Sequence, residues 1–312
     1  MHTLVTKSIN KASEILISGE IVAFPTETVF GLGALINRED AIEKIYLAKG
    51  RAKDNPLIVH ISNLSSLDSL VQEIKPNVQK LIDNFWPGPL TLIFKKNNSI
   101  GNFVTSGLST VAIRFPKHKI AQELITQCKV PIAAPSANIS GKPSSTKYQH
   151  VLEDFEGKIP CILEGKTVHG LESTVIDCTS EPFSLLRSGA IPFERIEQLV
   201  GLRKTTGRTN QPKSPGMKYR HYSPKAKVYI VSENSHLPEV SYETSAFIGL
   251  RDLETSKIFK KLICKDLDEY AENLFSFFRD CDRESIEFIY CERPEDLGIG
   301  KAINERLSKA AS

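Results

Sequence analysis

The sequence has no closely spaced cysteines and no long apolar run. It contains 6 Cys, but no two lie closer than ten residues apart, so no Cys-x-x-Cys pair exists for a zinc site or a redox motif. Isolated cysteines are typical of small core residues in a reducing compartment. No window is apolar and long enough to span a bilayer, and the first apolar residues are too dispersed for a signal peptide. We therefore expect a cytoplasmic protein.

The standard phosphate-binding and catalytic motifs are also missing. The segment Gly31–Gly33 is followed by Ile36 where a dinucleotide fingerprint needs a third small residue, and Lys142 is followed by Pro143 where a P-loop needs Ser or Thr. No Ser–His–Asp or Cys–His arrangement, no paired carboxylates and no acidic cluster for a metal stand out. The expected chemistry is therefore electrostatic positioning of anions, without a covalent or general acid–base step.

The chain does have enough apolar residues for a sizeable core. Its 312 residues are 40% hydrophobic, which predicts two domains. The 40 Lys and Arg against 37 Asp and Glu make it weakly basic. This balance neither requires nor excludes a nucleic-acid partner, because dedicated nucleic-acid binders are usually more basic.

Short apolar strands alternate irregularly with amphipathic helices. The spacing predicts helices over residues 8–18, 39–49, 64–74, 76–85, 120–127, 192–200, 267–278 and 299–310. It predicts strands over residues 21–24, 57–61, 90–94, 111–115, 130–134, 161–163, 174–178, 183–186, 228–231, 246–248 and 288–290. The fold class is therefore α/β with a mixed sheet. We predict a catalytic domain over 1–203, a linker loop rich in Pro, Gly, Lys and Arg over 204–225, and a smaller α/β (Rossmann-like) domain over 226–312.

Cationic and hydrogen-bonding side chains recur near the ends of predicted strands. They are Lys49, Arg51, Asn55, His60, Thr110, Arg114, Ser136, Asn138, Ser144, Ser173 and Arg187. Taken singly, each has an ordinary explanation, such as a helix-dipole cation, a turn former or a satisfied core histidine. Arg114 lies on the strand face opposite Ile113 and Phe115, which leaves it free to face a site. Taken together, these side chains predict a site that positions anions.

The loop APSANISGKPSST, residues 134–146, is the most densely polar part of this set. It follows an apolar strand and contains five hydroxyls, an amide, a lysine and a glycine, but no acid. A plain turn needs only a Gly and an Asn. The composition of the loop therefore indicates that it binds an anion.

Seven motifs occur in the order found in one family. They are PTETVFGLG, KGRAKDNPLIVHI, WPGPLTLIF, VAIRFP, APSANISGKPSST, ESTVID and LLRSGAI. In these motifs the chain resembles the YrdC-like family of threonylcarbamoyl-adenylate synthases. SPGMKYRHYSP and the closing helix resemble its long form, which has an extra C-terminal domain. The resemblance implies a twisted α/β sheet with a basic concavity and a nucleotidyltransferase that converts L-threonine, bicarbonate and ATP into threonylcarbamoyl-AMP and pyrophosphate for tRNA modification.

The same resemblance implies roles for individual residues. The family's Lys-x-Arg and Ser-x-Asn pairs match the expected catalytic residues Lys49, Arg51, Ser136 and Asn138. The residues that it places around L-threonine are Thr28, His60, Arg114, Ala134 and Ser173. The residues that it places around ATP are Arg51, Asn55, Thr110, Ser136, Ser144 and Arg187, with Tyr222 added by the linker folding over the site.

The resemblance also implies what accompanies the substrates. Mg²⁺ is expected to arrive on the ATP phosphates, with no protein-bound metal and no organic cofactor. The expected acceptor of the product is a tRNA threonylcarbamoyl transferase complex, and weak binding of tRNA itself is left open.

Two other functions compete with this interpretation. An RNA-binding module could use the same basic concavity, but the sequence lacks aromatic residues interleaved on a basic sheet face. A carbamoyltransferase of hydrogenase maturation shares the YrdC-like domain, but that class carries zinc-finger and acylphosphatase-like segments that this chain lacks. An inactive two-domain scaffold ranks behind both.

Overall fold

The larger β-sheet belongs to the first two thirds of the chain and mixes parallel with antiparallel pairs. The computed structural model describes residues 2–204, 222–232, 242–252 and 258–312. In chain order the strands of this sheet are β1 (Leu4–Thr6), β2 (Val22–Phe24), β3 (Gly31–Leu35), β4 (Ile58–His60), β5 (Leu90–Lys95), β6 (Thr110–Arg114), β7 (Ile132–Ala134), β8 (Cys161–Leu163), β9 (Thr174–Asp177), β10 (Phe183–Arg187) and β11 (Leu202–Lys204). Across the sheet they follow the order β1-β8-β2-β3-β7-β4-β6-β5-β9-β10-β11.

Helices cover both faces of this sheet. They are α1 (Ile9–Ile17), α2 (Glu39–Lys49), α3 (Leu67–Leu70), α4 (Pro76–Phe85), α5 (Asn102–Thr105), α6 (Lys119–Cys128), α7 (Tyr148–Phe155) and α8 (Phe193–Val200). Because side chains alternate across a strand, Val22 and Phe24 pack with α1 and α6, whereas Ala23 packs with α2, α4, α7 and α8 on the other face. The strands are therefore buried on both sides, which explains their nearly continuous apolar sequences.

Local sequence sets the ends of several helices. The Ser8 hydroxyl caps α1 by accepting a hydrogen bond from the Lys11 amide at 3.3 Å. Gly50 ends α2 in the left-handed conformation, with φ of 59°, which a glycine adopts without steric cost. Pro76 opens α4 at a position where its missing N–H costs nothing.

The smaller sheet belongs to the last third of the chain and is entirely parallel. Its strands are β12 (Lys227–Val231), β13 (Ser245–Gly249), β14 (Lys260–Ile263) and β15 (Phe288–Glu292), in the order β12-β15-β13-β14. The helices α9 (Leu267–Arg283) and α10 (Ile299–Ala310) pack against it. We call residues 2–204 the N-terminal unit and the described residues from 222 onward the C-terminal unit. The predicted α/β class, with a large mixed sheet and a second α/β layer, is confirmed.

The predicted helices agree with the structure best where they are long and amphipathic. The sequence predicted α2, α4 and α10 with the bounds that they have in the structure. The helix predicted over 64–74 is wrong, because a 3₁₀ turn at Leu64–Ser66 leads into the short α3. That helix stops because Val71 becomes extended and bridges Lys96 of the neighbouring sheet. The short elements β1, β3, β11, β14, α5 and α7 were not predicted.

The predicted linker is described only in part. Residues 205–221 of the 204–225 segment lie outside the described residues, so the division into domains at 203 and 226 stays a prediction. All 6 cysteines are buried and unpaired. Within the described ranges, no helix combines the length and the apolar character needed to cross a membrane.

Candidate active site

One cavity opens near the ends of β2, β4, β6 and β7. All but two of the predicted site residues lie in its wall. Those in the wall are Thr28, Lys49, Arg51, His60, Arg114, Ala134, Ser136, Asn138, Ser144, Ser173, Arg187 and Tyr222. The two outside the wall are Asn55 and Thr110. The structure therefore brings together side chains that are spread over almost two hundred residues of sequence.

Strand register places two of these side chains next to each other. The parallel strands β4 and β6 pair so that His60 lies opposite Arg114. The antiparallel strand β7 borders β4 on its other side and places Ile132 opposite His60. Because His60 and Arg114 are the last residues of their strands, the two side chains lie side by side at the carboxyl ends of β4 and β6.

Arg114 forms a buried ion pair at one end of the cavity. Its Nη2 lies 2.8 Å from Glu27 Oε2, and its Nη1 donates to Thr28 Oγ1 at 2.8 Å. Burial alone favours the neutral acid, but the charge of Arg114 outweighs it and lowers the pKa of Glu27. The acid therefore stays ionised and fixes the orientation of the guanidinium.

His60 is a neutral residue beside this ion pair. Burial, followed by the positive charge of Arg114, lowers the pKa of His60 to about 3. Its Nδ1 lies 3.1 Å from the Ile58 carbonyl oxygen, and its ring meets the edge of Phe24 with ring centroids 6.0 Å apart. Because the neutral ring donates from Nδ1 to that carbonyl, Nε2 keeps its lone pair.

Lys49 is the buried cation at the centre of the polar loop. Its Nζ donates to the carbonyl oxygen of Ser136 at 2.6 Å and to that of Asn138. The Ser140 amide in turn donates to the Lys49 carbonyl at 2.9 Å. Burial, followed by repulsion from Arg51, holds the pKa of Lys49 well below its usual value. An anion in the cavity would raise that pKa again.

Many polar groups of the loop are used to hold the loop itself. Ser145 Oγ donates to the Ala137 carbonyl at 2.6 Å, and Asn138 Nδ2 donates to the Ile139 and Lys142 carbonyls at 2.8 and 3.0 Å. Ser144 Oγ instead donates to the carboxylate of Glu172, at 2.6 Å. Asn138 Oδ1 is buried and has no hydrogen-bond partner within the described part of the chain. The loop is therefore pre-shaped, because few of its groups must rearrange to meet a ligand.

Arg51 is held by the backbone that follows it. Its Nε donates to the Asn55 carbonyl at 3.3 Å and its Nη2 to the Pro56 carbonyl at 3.1 Å, while burial lowers its pKa to about 10. Asn55 thus contacts Arg51 from behind the wall and also accepts a hydrogen bond from the Tyr46 hydroxyl at 3.2 Å. Thr110 begins β6, opposite Lys95.

Arg187 and Tyr222 complete the other end of the cavity. The Arg187 guanidinium donates to the Ser173 carbonyl at 3.1 Å and to the Ser173 hydroxyl at 3.0 Å. Gly189, which follows closely, packs so tightly that an added Cβ would lie 2.4 Å from backbone atoms of Glu172–Thr174. Tyr222 has a left-handed φ of 64° and stacks on Phe275 with ring centroids 5.2 Å apart. Burial raises the pKa of Tyr222 to about 12, so its phenol stays protonated.

Positive charge dominates the wall of the cavity. Among the residues that the structure describes, the charged ones in the wall are Lys49, Arg51, Arg114, Lys142, Arg187 and one acid, Glu172. Lys142, Glu172 and Glu27 were not predicted as site residues, although each lies inside a quoted motif. Within the described ranges, no three His, Cys, Asp or Glu side chains cluster closely enough to hold a metal. This excess of cations suits a polyanionic ligand.

The C-terminal unit holds the polar loop through Arg279 of α9. The Arg279 Nε and Nη2 donate to the Pro143 carbonyl at 3.1 and 2.7 Å, and its Nη2 also contacts Asp154 Oδ2 at 2.8 Å. Asp154 in turn accepts from the Ile139 amide at 3.2 Å and from Lys142 Nζ at 2.8 Å. Because Arg279 and Asp154 are almost completely buried, this ion pair fixes the loop from behind.

The families that this chain matches define the class of protein to which it belongs. Residues 14–189 match the Sua5/YciO/YrdC family, described as telomere recombination, and residues 191–312 match the family described as the threonylcarbamoyl-AMP synthase C-terminal domain. Escherichia coli YciO superposes with a TM-score of 0.54 at 22% identity, over 60% of this chain and 94% of that one, which shows the fold alone. The two matched regions and the cation-lined cavity define an AMP-forming nucleotidyltransferase with a YrdC-type sheet.

Two relatives and one solved structure make the assignment specific. The threonylcarbamoyl-AMP synthase of Pyrococcus abyssi is 43% identical over 96% of this chain and 93% of its own, and that of Bacillus subtilis is 42% identical over 97% and 92%. The crystal structure of Pyrococcus abyssi Sua5 complexed with L-threonine superposes with a TM-score of 0.90 at 42% identity, over 99% of this chain and 97% of that one. The chain belongs to the threonylcarbamoyl-AMP synthase family, in its long form. The predicted family and enzyme class are confirmed.

Proposed function

We propose that the cavity joins L-threonine, bicarbonate and ATP into threonylcarbamoyl-AMP and pyrophosphate. The observation that carries this proposal is the convergence of Lys49, Arg51, Arg114 and Arg187 in one wall. Such a wall suits a carboxylate and a triphosphate bound side by side, because each is an anion that loses water on entering the cavity.

L-Threonine occupies the end of the cavity at Arg114. The ion pair with Glu27 holds one edge of the guanidinium, which leaves its remaining N–H groups for the threonine carboxylate. The neutral ring of His60 adds no charge that would compete with the ammonium or carbamate form of the substrate. The surrounding contacts are Thr28, Ala134 and Ser173.

ATP occupies the other end of the cavity. The wall residues assigned to it are Arg51, Ser136, Ser144, Arg187 and Tyr222. Asn55 acts in this proposal by holding Arg51, since its carbonyl accepts from the Arg51 Nε. Thr110 stays a predicted ATP contact at the start of β6. Lys49 and Asn138 lie between the two ends, at the position proposed for the α-phosphate.

The reaction needs alignment more than a protein base. The threonine amine and bicarbonate condense to a carbamate with loss of water. A carbamate oxygen then attacks the α-phosphorus in line, the bond to the bridging oxygen breaks, and its electron pair leaves with pyrophosphate. Lys49 and Arg187 balance the charge that builds on the phosphoryl oxygens.

ATP would bring Mg²⁺ on its phosphates, where the ion would neutralise part of their charge. The product then passes to a tRNA threonylcarbamoyl transferase complex in the cytoplasm. Weak tRNA binding by this chain itself would appear as an affinity that falls steeply with salt in filter-binding assays.

Pyrophosphate release from ATP tests the proposal. With L-threonine, bicarbonate and Mg²⁺ present we expect steady release, and omission of either L-threonine or bicarbonate should abolish it. Release that is indifferent to both omissions would indicate an ATP pyrophosphohydrolase, which transfers the AMP group to water. An RNA-binding module would release none under any of these conditions.

A further inference from the structure

A buried acid lies in the wall of the ATP end. Glu172 lines the cavity, and its Oε1 accepts a hydrogen bond from Ser144 Oγ at 2.6 Å. Burial favours its neutral form, but the charges of Arg306 and Arg187 outweigh it and lower the pKa of Glu172. A carboxylate that stays ionised here would repel the phosphates of ATP unless another group cancelled its charge.

Arg306 of α10, in the C-terminal unit, is the group that cancels it. Its Nε and Nη2 both donate to Glu172 Oε2, at 3.1 and 2.9 Å. The Arg306 side chain is 1% exposed, so this ion pair is shielded from solvent. Arg187 also lies near Glu172 but gives its hydrogen bonds to Ser173. Arg306 is therefore the direct partner of the acid.

The same guanidinium contacts two other elements of the ATP end. Its Nη1 donates to the Ser188 carbonyl at 2.5 Å, directly after Arg187 in sequence. Its Cζ lies 5.6 Å from the centre of the Tyr222 ring. The carboxylate of the neighbouring Glu305 accepts hydrogen bonds from the amide and the hydroxyl of Ser188, at 3.2 and 2.7 Å. Arg306 thus contacts the groups that support three residues of the ATP end. These supports are Glu172 for Ser144, the Ser188 carbonyl for Arg187, and the contact with the ring for Tyr222.

We propose that Arg306 is a positioning residue for ATP, which it serves by neutralising Glu172 and by fixing the supports of Ser144, Arg187 and Tyr222. The inference rests on the proposed function of the cavity. It gives the C-terminal unit a defined part in ATP binding, whereas the ion pair and the hydrogen bond of Arg114 at the threonine end are formed within the N-terminal unit.

The kinetic test compares the two substrates in Arg306→Met. An unpaired carboxylate several ångströms from the phosphates should raise the ATP KM roughly tenfold or more, with the threonine KM changed less than about twofold. The matched control is Arg283→Met, which removes an arginine of the same unit that is 52% exposed and contacts Glu153 at 3.2 Å. The control should keep the wild-type ATP KM. An unchanged ATP KM in Arg306→Met, or an equal rise in both KM values, would overturn the proposal.

A charge rescue separates neutralisation from simple packing. In the double variant Glu172→Gln/Arg306→Met the acid is gone, so most of the lost ATP affinity should return. A packing defect would leave the double variant as impaired as the single one, and that result would reject the neutralising role. Since loss of a buried ion pair can prevent folding, Arg306→Lys is the second variant. It keeps the charge and should raise the ATP KM less than Arg306→Met, and an ATP KM as high as or higher than in Arg306→Met would count against the proposal.

Calorimetric binding of a non-hydrolysable ATP analogue distinguishes this proposal from the one on which it rests. If the wild type binds the analogue and Arg306→Met binds it equally well, the role of Arg306 is refuted while the function of the cavity stands. If the wild type binds the analogue but releases no pyrophosphate with threonine and bicarbonate, the proposed function fails, and weaker binding by Arg306→Met still supports its role at this site.

Discussion

The two ends of the cavity are held together by different parts of the chain. At the threonine end, Arg114, Glu27 and Thr28 contact one another within the N-terminal unit. At the ATP end, the polar loop and Glu172 are held by Arg279 and Arg306 of the C-terminal unit. One end is therefore pre-organised by local strand ends, whereas the other depends on docking of the second unit. Changes in the C-terminal unit should act on ATP first.

The largest effect is expected from Arg279→Met. This change removes the buried one of the two cations that pair with Asp154 and also leaves the Pro143 carbonyl without its donor, so the free energy of unfolding should fall by about 3–5 kcal/mol. Urea denaturation followed by circular dichroism measures it. The exposed Arg283→Met control should change stability by less than about 1 kcal/mol. Equal losses in both variants would mean that the loop does not depend on the buried contact.

Lys49→Ala should give the next largest effect, because Lys49 lies between the two ends. It removes a cation aimed at the phosphates and the hydrogen bonds that hold the Ser136 and Asn138 carbonyls. We expect kcat for pyrophosphate release to fall roughly 100- to 1,000-fold. Lys53→Ala, which removes an exposed lysine in the turn that follows α2, should match the wild type. A kcat for Lys49→Ala within about threefold of the wild type would remove Lys49 from the chemistry.

Arg114→Met should affect the threonine end alone. Loss of a charged hydrogen bond to the carboxylate should raise the threonine KM roughly 10- to 150-fold, with the ATP KM nearly unchanged. Because the change also leaves Glu27 unpaired, the double variant Glu27→Gln/Arg114→Met is the control. It should keep the high threonine KM. Recovery of the threonine KM in the double variant would show that Arg114 acts only by neutralising Glu27.

The smallest expected effect is on the pH dependence of stability. It comes from one buried histidine at each end of the cavity. Burial lowers the pKa of His60, and likewise that of His150 beside the polar loop, to about 3. The unfolded chain binds these protons near pH 6.5, so stability is complete above that pH and falls as the pH drops below it. When the pH falls from 7.5 to 5.5, each histidine should lower the free energy of unfolding by about 1.4 kcal/mol.

Thermal unfolding of His60→Asn and His150→Asn at the two pH values measures these contributions separately. Each variant should lose less stability on acidification than the wild type does. A pH dependence identical to that of the wild type in either variant would mean that the histidine is not held neutral at that end.

Sequence alone predicts the α/β class, several helices and most of the cavity wall. Helices such as α2, α4 and α10 are predictable because an amphipathic stripe and a terminal Gly or Pro lie within one segment. The three-residue strand β1 is not, because its pairing with β8 joins segments far apart in the chain. Most of the wall residues are predictable because they lie near the end of an apolar strand or helix inside a recognisable motif.

The supporting residues are harder to predict from the sequence, because their partners are distant. Glu27 and Glu172 lie inside quoted motifs, yet an acid is unexpected at an anion site until its arginine is known. Arg306 and Arg279 carry one usable signal, since each lies on the apolar stripe of its helix, three residues after Ile303 and one turn after Phe275 respectively. An arginine on a buried stripe indicates a buried ion pair, but not with which residue.

A structure determined with L-threonine and a non-hydrolysable ATP analogue bound together tests the central claim most directly. We predict that the threonine carboxylate lies within hydrogen-bond distance of Arg114 and that the α-phosphate lies beside Lys49. The face of the α-phosphate opposite the pyrophosphate group should be turned towards the threonine amine. The claim is contradicted if either ligand binds on another surface, or if the two occupy the cavity with the threonine amine turned away from the α-phosphate.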